Sequence, residues 1–500
     1  MHGASLAAIA LVCLATLAAG SFGLRMSRAT SDFYVAGRAV TPRRNASAIS
    51  GEYLSAASFL GVAGLVYAGG ADMLWFPIGY TVGYLVLLLL VAAPLRRSGA
   101  YTLPDFAELR LESRRLRLAA SLLTVGIGCL YLVPQYQGAG IALRQATGWP
   151  TWVGGALVSL VVLAAVAAGG MRSITLVQAM QYWIKLVAIA VPAFVLLALW
   201  GRDSGARPLD LTVWELPGTG TASGLYTTYS ILLGLCLGTM GLPHVLVRFY
   251  TNPDGRDARR TTVGVIGLLG LFYVFPPVYA VLGRTYAPSL PEGVGPDAIV
   301  LRLPSLVAGG TMATVLTAIL AAGAFAAFLS TASGLVVSVA GVIDQDVLRP
   351  LARRRTGEDS RDVATFRLAA IAAALLPLGI SRFVDPLGLA TTVGLAFAVA
   401  ASTLAPLLVL GVWWPRLTRV GAAAGLAVGT LASMVAVGGA WATQGDAGWL
   451  ALALAQPAAW SAPVAFATMI VVSRLTPAHR PPHTRRTLTR LHTPEALLPP

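Results

Sequence analysis

The chain has 500 residues, 56% of them hydrophobic and 11% charged, and its mean hydropathy of +0.73 excludes a water-soluble globular domain of this size. Its 36 Lys and Arg against 21 Asp and Glu leave a formal net charge of +15. The basic residues sit mainly in connectors between apolar runs, so the charge speaks for membrane topology and against nucleic acid as a partner.

Thirteen apolar runs match the length that crosses a hydrocarbon core of about 30 Å as helix. They fall near 3–23, 46–69, 74–95, 118–141, 151–170, 174–199, 225–247, 261–283, 311–342, 364–381, 386–412, 420–441 and 450–473. No Lys or Arg precedes the first run, and Arg25, Arg28 and Arg38 follow it, which favours a retained span over a cleaved leader. Alternate connectors and the C-terminal tail carry 29 arginines and the opposite connectors six. By the positive-inside rule the N-terminus is outside and the C-terminus cytoplasmic, in the plasma (inner) membrane.

The second run is interrupted at "ISGEYLS" and contains Glu52. A charge at the centre of a membrane helix costs roughly 2.5–3.5 kcal/mol even on the lenient insertion scale, so this stretch requires partners. Tyr131 and Gln135 in "YLVPQYQGAG" of the fourth run are candidate lining residues, although interhelical hydrogen bonding is the commoner use of such groups. Lys185, the chain's one lysine, lies inside the sixth run and is the natural partner for Glu52. The seventh run is weakened at "LGLCLGTMGLPH" by Gly234, Gly238, Gly241 and Pro243. His244, beside that proline, suits a local hydrogen-bonding or gating role.

Two interrupted runs five spans apart are the sequence pointer to an inverted-repeat transporter with a midplane site, while glycine also serves plain helix packing. The ninth run carries "AAFLSTASG", with Ser330, Thr331 and Ser333 deep in an apolar helix. An isolated hydroxyl there usually back-bonds to its own helix. A Ser-Thr pair with a nearby carbonyl also offers the neutral oxygens that a hard cation prefers. Asp344 and Asp346, the one pair tempting for an enzyme, more simply cap the inner end of this span. Cys13, Cys129 and Cys236 lack metal-ligand spacing and read as small core residues. The tail from 474, rich in Pro, Arg and Thr and holding His479, His483 and His492, is expected to be disordered on an anionic cytoplasmic surface.

"SDFYVAGR" (31–38), "LSAASFLG" (54–61), "GGMRSITLVQ" (169–178), "GLPHVLVRFYT" (241–251) and "LSTASG" (329–334), in this order, resemble the sodium/solute symporter family. "GEYLSAASFLG" and "GTMGLPHVLVRFYT" resemble most its branch of cation/acetate and short-chain monocarboxylate permeases. The resemblance implies an all-α amino-acid-transporter-like fold of two inverted five-helix repeats, here 46–199 and 225–412, with one further N-terminal and two further C-terminal helices.

It also implies a sodium site made of the carbonyls of Gly51, Leu54 and Ala327 and the hydroxyls of Ser330 and Thr331, with Ser55 nearby. Tyr53 stands where the family's proline transporter has an aspartate, and Ala57-Ser58 where sugar transporters have a polar pair; both changes argue against those substrates. Gln178 replaces an aspartate found in several members, which leaves a second sodium site without support.

The expected function is therefore symport of a small monocarboxylate such as acetate with a cation, Na⁺ first and H⁺ as the alternative. No other cofactor is expected, and no obligatory protein partner is evident from the sequence. Candidate substrate contacts are Tyr53, Ser58, Tyr131 and Gln135, with Glu52, Lys185 and His244 as coupling or gating groups. A membrane enzyme is a distant alternative.

The arginine asymmetry makes one expectation directly testable. Single cysteines placed in the tail beyond Arg474 and in the loop of Arg353 to Arg355 should be labelled from the same, cytoplasmic side. Labelling from opposite faces would overturn the span count.

Overall fold

The computed structural model describes residues 2–26, 40–203, 208–209, 221–351, 362–384, 387–443 and 448–494. The motif "SDFYVAGR" and the arginines 353–355 lie outside the described residues. Among the described residues the regular structure is entirely helical. Nine helices there are long and apolar enough to cross a membrane, or ten if the pair Ala222–Gly241 and Pro243–Phe249, bent by 51°, is one span. The shorter apolar helices Thr151–Ala167 and Ala364–Ile380 add to these, and the expected count of thirteen is not established by them. Large apolar side chains such as Leu122, Leu160, Phe194 and Met434 stand exposed on the outside, the arrangement a hydrocarbon solvent calls for.

The second run is helical over Pro42–Tyr53, with proline in the first turn where its missing N–H is not needed. The helix stops at Leu54, whose φ of −72° and ψ of 86° leave the helical region. A π-turn Ala57–Gly61 and the helix Val62–Gly69 continue the crossing. Gly70 then turns the chain with φ +70° and ψ −152°, a conformation closed to most L side chains. The turn leads through Gly70–Leu74 into the helix Trp75–Leu90.

The fifth and sixth runs fall in the helical stretch Thr151–Asp203, within which Thr151–Ala167 and Ser173–Asp203 are the apolar segments. Gly20 meets Ala165 and Thr16 meets Gln181, so both segments lie beside one short part of the helix His2–Met26.

The centre of the molecule is the helix Gly310–Ile343, which packs against Thr151–Asp203, His2–Met26, Arg114–Thr147 and Asp362–Ile380. Its small residues permit the close approach that drives helix association in lipid. At Gly323 a Cβ would lie 2.4 Å from the Cβ of Ala188.

At one end of the bundle Arg117 bridges Asp105 (2.8 Å), Glu108 (2.6 Å) and Asp346 (2.5 Å). Asp344 pairs with Arg349 at 2.9 Å. Both aspartates are thus taken up in ion pairs, Asp344 locally and Asp346 with Arg117 of the neighbouring helix.

The tail departs from the expected disorder. Thr484–His492 is a helix with Leu491 fully buried, and Arg97 donates to the Leu491 carbonyl at 3.4 Å. Leu488 and Leu491, three residues apart on one face, give this basic segment an apolar side that a compositional reading overlooks. Arg110, buried beside it, donates to Gly411 O (2.8 Å), Trp414 O (3.1 Å) and Thr484 Oγ1 (3.4 Å), and burial lowers its pKa to about 10.

Candidate functional site

The interruption after Tyr53 sets carbonyl and amide groups free in the middle of the bundle, where each needs a partner. On the amide side, Ala56 N donates to Gln135 Oε1 at 2.9 Å. On the carbonyl side, Lys185 Nζ donates to Gly51 O, to Leu54 O at 2.8 Å and to Ser330 Oγ at 2.6 Å. Ser330 Oγ lies 2.8 Å from Gly51 O and 3.0 Å from Ala327 O, while Thr331 Oγ1 donates to Glu52 O. The oxygens assigned by resemblance to a sodium ion are therefore brought together, with the ammonium of Lys185 among three of them.

Gly51 makes this approach possible. A Cβ there would come within 2.1 Å of the Gln178 carbonyl oxygen, so the broken helix and the helix Thr151–Asp203 meet backbone to backbone.

The expected pairing of Glu52 with Lys185 is corrected by the structure. Glu52 Oε2 accepts from Arg248 Nε at 2.6 Å, both side chains being buried. The same guanidinium donates to Thr175 Oγ1 at 2.6 Å and to Gln178 Oε1. Gln178 Nε2 continues to Ser330 O at 2.7 Å and Ser333 Oγ at 3.4 Å. Lys185 and Arg248 thus divide the work at the break: the lysine holds backbone carbonyls and the arginine holds the carboxylate. Arg248 sits in the short helix Pro243–Phe249, on the far side of the bend at Leu242. That bend is what directs it into the bundle.

The candidate substrate residues divide in the same way. Tyr53 is packed edge-on against Tyr80, Tyr84 and Phe397, and its hydroxyl reaches Tyr80 O (3.3 Å) and Thr239 Oγ1 (3.1 Å). Ser58 Oγ is 2.8 Å from Tyr273 Oη. Gln135 is committed to the break. Tyr131 lies edge-on to His244 at 5.1 Å and against Phe397 at 5.9 Å. Ser55 is buried at the break itself.

Sequence reasoning missed Tyr80 and Tyr84, whose buried hydroxyls have no hydrogen-bond partner among the described residues; both ring nitrogens of His244 share that state. The available signal was the i, i+4 spacing of the two tyrosines on one face of the helix Trp75–Leu90. Unpaired donors around a buried aromatic cluster can receive the oxygens of a small anion. Among the described residues, meanwhile, no group of three or more His, Cys, Asp or Glu is placed to hold a metal ion.

Comparison with known proteins agrees with this architecture. The model of the sodium:solute symporter family matches residues 33–429. A symporter of Bacillus subtilis, YwcA, is 32% identical over 413 residues, covering 80% of this chain and 79% of its own. A monocarboxylic acid transporter of Corynebacterium glutamicum is 30% identical over 427 residues, covering 79% and 76%. Among solved structures, a substrate-bound, outward-open Na⁺-coupled sialic acid symporter aligns with a TM-score of 0.73 at 16% identity, over 95% of this chain and 97% of that one. A nucleobase-cation-symport-1 family transporter in a closed conformation aligns at 0.60 with 14% identity, over 93% and 99%. These structural likenesses bear on the fold alone.

The Glu52–Arg248 pair yields a prediction for stability. Arg248→Ala strands a buried carboxylate and should cost about 3–5 kcal/mol. Adding Glu52→Gln should recover part of that loss, because the remaining amide carries no charge. Thermal unfolding of the purified single and double variants measures both; additive losses would contradict the pairing.

Proposed function

Because the chain belongs to the sodium:solute symporter family, we propose that it moves a small monocarboxylate across the membrane together with a cation, by a rocking alternation about the break near Leu54. Family and fold are those of multi-pass membrane transporters. The observation that carries the monocarboxylate reading is the buried charge at the break: Lys185 and Arg248 against Glu52 alone. One carboxylate brought from outside balances that set, and burying it there costs less than burying it in neutral surroundings. The unpaired hydroxyls of Tyr80 and Tyr84 supply donors for its second oxygen, and the relative in Corynebacterium glutamicum is named for this class of solute.

The resemblance would put the cation on Gly51, Leu54, Ala327, Ser330 and Thr331, with Ser55 beside them, a set in which Lys185 Nζ lies on the oxygens of Gly51, Leu54 and Ser330. Sodium as the coupling ion is supported by the family's name. A second reading, proton coupling, is favoured by the position of Lys185 on oxygens that sodium would use. Orientation in the plasma membrane with the C-terminus inside rests on the arginine asymmetry.

The test is uptake of labelled acetate, propionate and pyruvate into proteoliposomes under separately imposed sodium and proton gradients, with protein-free vesicles to remove diffusion of the neutral acid. Accumulation of at least one acid beyond its equilibrium level under one of the gradients is expected. Uptake that is the same with and without any gradient or membrane potential would contradict symport.

A further inference from the structure

We propose that Lys185 is a tethered cation standing in the place of sodium, so that the site formed by Gly51, Leu54 and Ser330 binds no sodium ion in this protein. The inference rests on the symport reading for its meaning in transport, and on the geometry of the break for its substance.

An ammonium has three N–H donors and no acceptor. Lys185 Nζ has three oxygen partners, Gly51 O, Leu54 O and Ser330 Oγ, and the count is complete. Ser330 has one hydroxyl proton, and that proton is directed to a carbonyl, Gly51 O at 2.8 Å or Ala327 O at 3.0 Å. Lys185 Nζ donates to the Ser330 oxygen at 2.6 Å. Three oxygens therefore surround Nζ, the position a bound cation would take.

The two remaining oxygens of the expected sodium shell are engaged as well. Ala327 O lies 3.0 Å from Ser330 Oγ, and Thr331 Oγ1 donates to Glu52 O. A sodium ion is a point charge that needs about five neutral oxygens. Here three of them surround a charge already fixed to the chain, and a second cation at the same point would meet it without a countercharge in contact. Glu52 Oε2 is paired with Arg248 at 2.6 Å.

The lysine also removes the need for an ion on structural grounds. Free carbonyls at a helix break inside a membrane require a donor or a cation. A side chain anchored on the neighbouring helix supplies both without the entropy cost of capturing a solute ion. Lys185 is fully buried on the helix Thr151–Asp203, which meets the broken helix backbone to backbone at Gly51.

Removing the ammonium should uncover the cation site. In Lys185→Ala the carbonyls of Gly51 and Leu54 and the hydroxyl of Ser330 lose their shared partner, with Ala327 O and Thr331 Oγ1 nearby to complete a neutral-oxygen shell. The test is equilibrium binding of radiolabelled sodium to purified protein, comparing wild type with Ser330→Ala, and Lys185→Ala with Lys185→Ala/Ser330→Ala. Wild type should show no bound sodium that Ser330→Ala removes. Lys185→Ala should gain a saturable component that the added Ser330→Ala abolishes.

Where Lys185→Ala fails to fold, Lys185→Met is read in its place, since its thioether fills the space and donates nothing to the carbonyls. If neither folds, the comparison of wild type with Ser330→Ala decides alone. Sodium bound to wild type and lost in Ser330→Ala would overturn the proposal, as would a folded Lys185 variant that gains no sodium. No solute enters this measurement, so a failure to transport any monocarboxylate would sink the proposed function while leaving the sodium result readable.

Discussion

A helix cut open in the middle of a bilayer has to find partners for its own backbone, because hydrocarbon offers none. In this protein the cut falls between Leu54 and Ala56, and the surrounding helices meet its requirements group by group. Gln135 takes the Ala56 amide, Lys185 takes the Gly51 and Leu54 carbonyls, and Thr331 takes the Glu52 carbonyl. These partners come from three separate helices, Arg114–Thr147, Thr151–Asp203 and Gly310–Ile343. The break thus acts as a seam that joins parts of both halves of the chain. It is also the place where a change of partners would alter how those halves sit against each other, which is what alternating access asks of a midplane site.

The charges around the seam follow from that demand. Glu52 lies on the last turn before the break, where its carboxylate would be untenable alone. The bend at Leu242 and Pro243 swings Arg248 inward to meet it. Gln178 then joins Arg248 to the Ser330 backbone, so the carboxylate pair and the hydroxyl pair form one hydrogen-bonded system. A neutral amide at position 178 suits this bridging role, since it accepts from the arginine with one end and donates to a carbonyl with the other. With Lys185 beside it, the seam gathers two basic side chains and one carboxylate in the buried interior.

Much of this was legible because polar residues in apolar helices are conspicuous. Gly51, Glu52, Ser330 and Thr331 could be singled out from the sequence alone, and the structure places them within one hydrogen-bonded group. The partnerships were less accessible. Lys185 was the obvious countercharge for Glu52, being the chain's one lysine, but which neighbour a side chain faces depends on helix rotation and on the depth of the bend at Leu242. Arg248 was hidden among the many arginines that mark topology, though its place one turn after a proline in an apolar segment distinguished it. Tyr80 and Tyr84 were hidden by their type, since tyrosine in a membrane helix usually packs. The tail helix escaped notice because its two leucines are few against a strongly basic, proline-rich background, and only the surface beneath Leu491 makes them sufficient.

The central claim is that the ammonium of Lys185 holds the opened carbonyls where a sodium ion would otherwise lie. A high-resolution cryo-EM map of the wild-type protein prepared in sodium-rich buffer addresses it most directly. The account predicts continuous side-chain density from the Lys185 stem to a terminus among Gly51 O, Leu54 O and Ser330 Oγ, with no separate ion peak. A rounded peak ligated by those oxygens and by Ala327 O and Thr331 Oγ1, with Lys185 turned away, would contradict it.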